Sequence, residues 1–239
     1  MEDTARMKAI LVLVAAVLFA ASPYMFGAFG GFAPDAFPVP QDRPPVQPAG
    51  YAFAIWGLIY LWLIVGAGFG LFMRSDHAAW DPARGPLLVS LIVGVGWIPV
   101  AQVSPVAATV MIWVMLLTAV WALMRTPMVD RWWWRVPVAL YAGWLTAASF
   151  VSIGLLGAGY GIGFGETGWA YLALLGALGF AVLVIRRLGG VPEYAAAVVW
   201  ALVAVLVKNW GVETGVAVLA LLGAVGVAGL SLTEARRAA

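Results

Sequence analysis

Pro48-Ala49-Gly50-Tyr51-Ala52-Phe53-Ala54-Ile55-Trp56-Gly57-Leu58-Ile59-Tyr60 opens a long apolar segment, and no charged residue follows it until Arg74. About 20 apolar residues suffice for a helix to cross a bilayer, so the segment reads as a membrane span. Phe53, Trp56 and Tyr60 are spaced i, i+3, i+7 and fall on one helical face. A stripe of flat side chains beneath a proline-rich stretch is the arrangement expected of a pocket for a flat, apolar molecule.

Segments of the same kind recur along the chain. The 239 residues are 64% hydrophobic and 10% charged, and the mean hydropathy is +0.99, a composition that excludes a water-soluble domain of this size. Alternating ten-residue strands are absent, which argues against a β-barrel. We expect an all-α, polytopic membrane protein with eight spans, roughly Met7–Phe26, Gly50–Met73, Pro86–Val103, Pro105–Met124, Val136–Gly157, Trp169–Ile185, Tyr194–Lys208 and Val212–Thr233. Pro86, Pro105 and Pro192 are placed at helix starts, where a missing N–H costs little. Arg6 and Lys8 before the apolar stretch Ala9–Ala21 also fit a signal peptide; we read this segment as a retained first span.

Charge supports the count. With the N-terminus in the cytoplasm, eleven of the thirteen Lys and Arg residues fall on the cytoplasmic side, and only Arg43 and Lys208 fall outside. The expectation is an integral, multi-pass protein of a bacterial inner membrane with both termini cytoplasmic. Trp132-Trp133-Trp134 reads as an interfacial anchor. The small residues Ala173, Gly176, Gly179 and Gly223, Gly226, Gly229 read as helix-packing faces, with a homodimer face as the alternative.

Much chemistry is missing. All eleven Asp and Glu residues fall in loops, tails or at span ends, as Glu213 does, which removes the usual mark of an ion-coupled pump. There is no Cys, and the single histidine, His77, lies in a loop, so neither a thiolate or typical zinc site nor a Ser-His-Asp set can be assembled. No metal site is expected, no basic patch suggests nucleic acid, and enzyme activity has little support. Lys208 sits at a helix end without a carboxylate partner, where it reads as snorkelling to the interface.

What remains is a candidate pocket. The loop Gly27–Ala49 carries six prolines and is expected to form a stiff lid, with Phe32 and Phe37 as apolar contacts and Arg43 as the cation for a ligand carboxylate. Beneath it, Tyr51, Phe53, Trp56 and Tyr60 from the second span, Trp97 from the third and Trp113 from the fourth are candidate ligand-binding residues. Tyr141 and Trp144 from the fifth join them, with Ser149 and Ser152 as hydrogen-bonding partners. The competing reading takes these aromatics as packing and belt residues, and the loop as a solvated connector.

Several of these motifs resemble the TspO/MBR family, the tryptophan-rich sensory and translocator proteins. Pro44-Pro45, Tyr51, Trp56 and Tyr60 are similar to that family's Pro-Pro, aromatic, Trp-x-x-x-Tyr entry into its second helix, with the aromatic shifted by about one position. Trp97 through Trp113 resembles its third-to-fourth helix hairpin. Leu140-Tyr141-Ala142-Gly143-Trp144 resembles its Pro-Tyr-x-x-Trp, with Leu140 in place of Pro and Ser152 at an Asn position. The resemblance implies a five-helix bundle over residues 1–157 that binds porphyrins, sterols or related lipophilic molecules, often as a dimer, and in bacteria senses tetrapyrroles. Residues 158–239 would then form three additional helices and a short tail. The expectation is a membrane binding and sensory protein with a porphyrin or other tetrapyrrole as its ligand. The alternatives are a transporter of small lipophilic solutes or an auxiliary subunit of a membrane complex.

Overall fold

A computed structural model describes residues 2–189 and 191–238. All regular structure among them is helical: α1 (Glu2–Phe26), α2 (Ile55–Met73), α3 (Asp81–Val95), α4 (Trp97–Val103), α5 (Pro105–Arg125), α6 (Arg135–Gly159), α7 (Glu166–Leu188), α8 (Pro192–Asn209) and α9 (Thr214–Ala238). Seven of these spans are each long and apolar enough to cross a bilayer, and α3 with α4 makes an eighth when the bent pair is taken as one. The protein is thus an all-α, polytopic membrane protein, as composition and charge require.

Local sequence sets the helix ends. The Ser104 hydroxyl accepts from Ala107 N at 3.2 Å and Pro105 follows it, so α5 starts on a side-chain cap and an N-terminal proline. Pro192 likewise opens α8, there without a side-chain cap. The third span departs from expectation. It starts at Asp81, where an acid and Pro82 occupy the first turn, and Pro86 lies inside the helix. It then bends by 43° at Gly96. Pro99 has no N–H to give to the carbonyl of Val95, the last residue of α3, so the ladder breaks there.

Pairwise packing closes two rings of helices. One runs α1–α2–α6–α5–α3 and back to α1, and the other runs α6–α7–α9–α8 and back to α6. The shared helix α6 is the most buried span. Close approach depends on small residues: a Cβ on Gly143 would collide with the Tyr194 carbonyl of α8. Polar side chains join the rings internally. Tyr194 and Thr146 share a hydrogen bond of 2.8 Å, Ser90 donates to Met115 O at 2.8 Å, and Ser90 and Tyr141 hydroxyls lie 2.9 Å apart.

One end of the bundle is tied by charge. Lys8 pairs with Asp81 at 2.8 Å, Arg74 with Asp130 at 2.7 Å and Arg131 with Glu193 at 2.6 Å. Arg84, only 1% exposed, donates to the carbonyls of Ala5, Gly70, Arg74 and Ser75 and so caps the C-terminus of α2. The tryptophan triplet lies along the same end. Trp132 stacks on Trp62, Trp133 on Phe69, and the buried Trp134 on Trp80 with ring centroids 4.9 Å apart. Trp132 and Trp133 keep exposed faces, whereas Trp134 is core.

The loop at the opposite end, residues 27–49, is not a free connector. Val39 N donates to Gly159 O at 2.8 Å, and Phe37 packs on Gly159. Helix α8 holds its second half: Lys208 donates to Pro44 O at 3.1 Å, Asn209 to Pro45 O at 2.9 Å, and Ala49 N to Ala204 O at 3.1 Å. A stretch so rich in proline cannot form a helix of its own, and donors from α8 supply partners to its carbonyls, that of Pro44 also accepting from Gln47 N at 3.2 Å.

Candidate ligand cavity

A cavity of about 340 Å³ lies under this loop. Its aromatic side is built in layers. Phe19 of α1 meets Trp56 and Tyr60 of α2 edge-on, at 5.6 and 5.0 Å between centroids. Trp56 and Tyr60 stack at 5.1 Å with an interplanar angle of 19°. Trp144 of α6 stands at 81° to Trp56 at 6.2 Å, and Phe53 closes on Trp144 at 5.9 Å. Trp97 lies against Phe29 of the loop at 4.7 Å, and Phe29 against Phe32 at 5.2 Å. These edge-on and offset contacts are the favourable geometries for aromatic pairs.

The structure therefore brings Phe53, Trp56, Tyr60, Trp97, Trp144 and Ser152 into the lining of one cavity, with Phe32 in the roof. Other candidates lie off it. Tyr51 sits in the 3-10 turn Gly50–Ala54 before α2, where three residues per turn replace 3.6, and its ring meets Trp200 of α8 instead. Trp113 is offset from Ile112 and Met115, which do face the cavity, and packs on Phe150. Tyr141 is fully buried behind Phe19, with its hydroxyl spent on Ser90. Ser149 faces α5 and donates to Ile112 O at 3.3 Å. Phe37 supports Phe32 from behind, and Arg43 is exposed outside the wall.

The sequence reading missed the far side of the cavity. Ala173, Leu174, Ala177 and Leu178 of α7 line it, and so do Val198, Ala201, Leu202 and Val205 of α8. Their helical spacing signals a buried stripe, but nothing in it tells what the stripe faces. Val46 and Gln47 of the loop complete the roof.

Electrostatically the cavity is uncharged, since no Asp, Glu, Lys, Arg or His lines it. Its polar groups are few and specific. The Trp97 N–H is committed to Ala108 O at 2.9 Å. The N–H groups of Trp56 and Trp144, and the hydroxyls of Tyr60 and Ser152, make no hydrogen bond among the described residues. Trp144 is only 3% exposed, so its donor has little but the cavity to serve.

The fold and the cavity together define a class: polytopic α-helical membrane proteins with a roofed, aromatic-walled and uncharged chamber inside the bundle. The comparisons are more particular. This chain belongs to the TSPO-like protein family, whose model matches residues 8–233. The match extends past residue 157, where the resemblance carried by individual motifs ends, and takes in α7, α8 and most of α9. No match was found among curated proteins, and none among solved structures.

Proposed function

We propose that this protein is a membrane binding and sensory protein for a lipophilic ligand, with a porphyrin or other tetrapyrrole as the leading class. The observation that carries this reading is the convergence of Trp56, Tyr60, Trp97 and Trp144 on one roofed cavity. Its volume lies within the range of about 300–1,000 Å³ usual for small-molecule sites. A flat macrocycle suits the stacked Trp56–Tyr60 face and the unpaired indole donors. The wall has no cation for propionates and no histidine for an axial metal bond, so a porphyrin would be held by stacking, with its carboxylates directed to the mouth.

Binding is favoured over passage. The crevice at the opposite end, among Ala9, Trp80, Arg84 and Trp134, has no room for a water molecule. A facilitator that released its solute at that end would need an exit there, where Arg84 is buried and Trp80 stacks on Trp134.

Protoporphyrin titrated into the purified protein should quench tryptophan fluorescence saturably. Trp56→Phe and Trp144→Phe should each weaken the affinity by about tenfold, the loss of one aromatic contact and one donor. Quenching that is linear, or indifferent to both substitutions, would reject the cavity as the site.

A further inference from the structure

The two sides of the cavity differ in kind. On one side Trp56 and Tyr60 of α2 and Trp144 of α6 present rings that carry unpaired donors, with Ala147, Ala148 and Val151 of α6 between and beyond them. On the side of α7 and α8 the surface is made of alanine, valine and leucine, with no ring and no polar side chain. Alanines one turn apart, Ala173 and Ala177, leave a shallow trough along α7, and Ala201 thins the facing stripe of α8. A rigid, wholly flat ligand would cover the aromatic side and leave this trough without partner atoms, which forfeits its dispersion contacts.

We infer that the ligand is an uncharged flat ring carrying a flexible alkyl or isoprenoid chain, with the ring against Trp56, Tyr60 and Trp144 and the chain between α7 and α8. This rests on the cavity being the binding site and departs from the propionate-bearing porphyrin above in the class of molecule it takes. The ring bears hydrogen-bond acceptors such as carbonyl oxygens, because the groups awaiting partners there are the indole N–H of Trp144 and Trp56 and the hydroxyls of Tyr60 and Ser152. The ring is neutral, because no charged side chain reaches the wall. A chain dissolved in lipid gains little from the hydrophobic effect alone, so its contribution comes from close packing in the trough.

The test uses the full-length protein in nanodiscs of one fixed phospholipid composition. Two probes are titrated by tryptophan quenching: 2-methyl-1,4-naphthoquinone, and the same ring with a 3-geranyl chain. The geranyl compound should bind wild type about five- to tenfold more tightly after correction for lipid partition. Ala177→Phe and Ala201→Phe fill the trough and should bring the ratio of the two affinities to about one; Ala177→Leu serves where a Phe variant fails to fold. Equal binding of both probes to wild type, or a ratio that survives these substitutions, overturns the inference. Binding of protoporphyrin but of neither quinone overturns it too and leaves the cavity as the binding site. If none of the three compounds binds, the cavity reading falls and this inference with it. Native mass spectrometry supplies a last arm: a phospholipid retained by wild type, lost from Ala201→Phe and unmoved by the geranyl probe would assign the trough to bilayer lipid and reject the proposal.

Discussion

Arg84 shows how much one side chain can organise. Its planar fork spreads donors over four carbonyls from α1, the end of α2 and the loop after it. Arg84→Met would leave those acceptors buried and unpaired, and should lower stability by about 3 kcal/mol, read from the thermal unfolding midpoint in detergent. Arg84→Lys should recover less than half of that, because an ammonium cannot fork. Asp130 gives the pH dependence. The Arg74 guanidinium donates to it at 2.7 and 3.3 Å and holds its carboxyl below the ordinary 3.8. A depressed carboxylate contributes stability above its unfolded value and loses it as pH falls through the folded one. Asp130→Asn should therefore lower stability at neutral pH and flatten the decline below about pH 4 in an acid titration followed by tryptophan emission. Asn is the suitable replacement because residue 130 has φ 56°, a left-handed conformation that Asn tolerates. Neither residue stood out in the sequence. Both lie in short polar stretches, Asp81–Arg84 and Val129–Arg131, and read there as ordinary solvated charge.

At the scale of elements, the spans were legible because a bilayer imposes a length and an apolar composition on any crossing helix. Six of the eight expected spans correspond closely to single helices. The bend at Gly96 was readable in principle from Pro99, and the start at Asp81 was masked by the polar first turn. The aromatic stripe entering α2 was legible from spacing, because Phe53 in the turn before the helix and Trp56 and Tyr60 within it all line the cavity. Tyr51 did not follow: at about 100° per residue it falls on the face opposite Tyr60, and its ring meets Trp200 of α8. The grip of α8 on the loop was illegible, as it pairs donors and proline carbonyls 164 residues apart with no local pattern. Asn209→Leu removes the bonds to Pro45 and Val205 and should free the second half of the loop. Limited proteolysis between residues 27 and 49 should then accelerate several-fold, while Arg43→Ala, exposed and outside the cavity, should leave the rate unchanged.

At the scale of the molecule, the two rings share α6, and the cavity takes its wall from both. The C-terminal helices thus supply the cavity's aliphatic side and the fastening of its roof. The motif resemblance, confined to the first five spans, held no information on this, because α7–α9 carry small and aliphatic residues in place of recognisable signatures. One consequence concerns biogenesis. The proline-rich stretch leaves the ribosome some 150 residues before the helix that clamps it, as the separation between Ala52 and Trp200 illustrates. Until α8 is inserted, the chamber stands uncovered on a half-made protein, and contacts so distant in sequence form late. Nascent chains stalled before residue 192 should leave that stretch open to a protease added on its side of the membrane, whereas chains that include α8 and α9 should shield it.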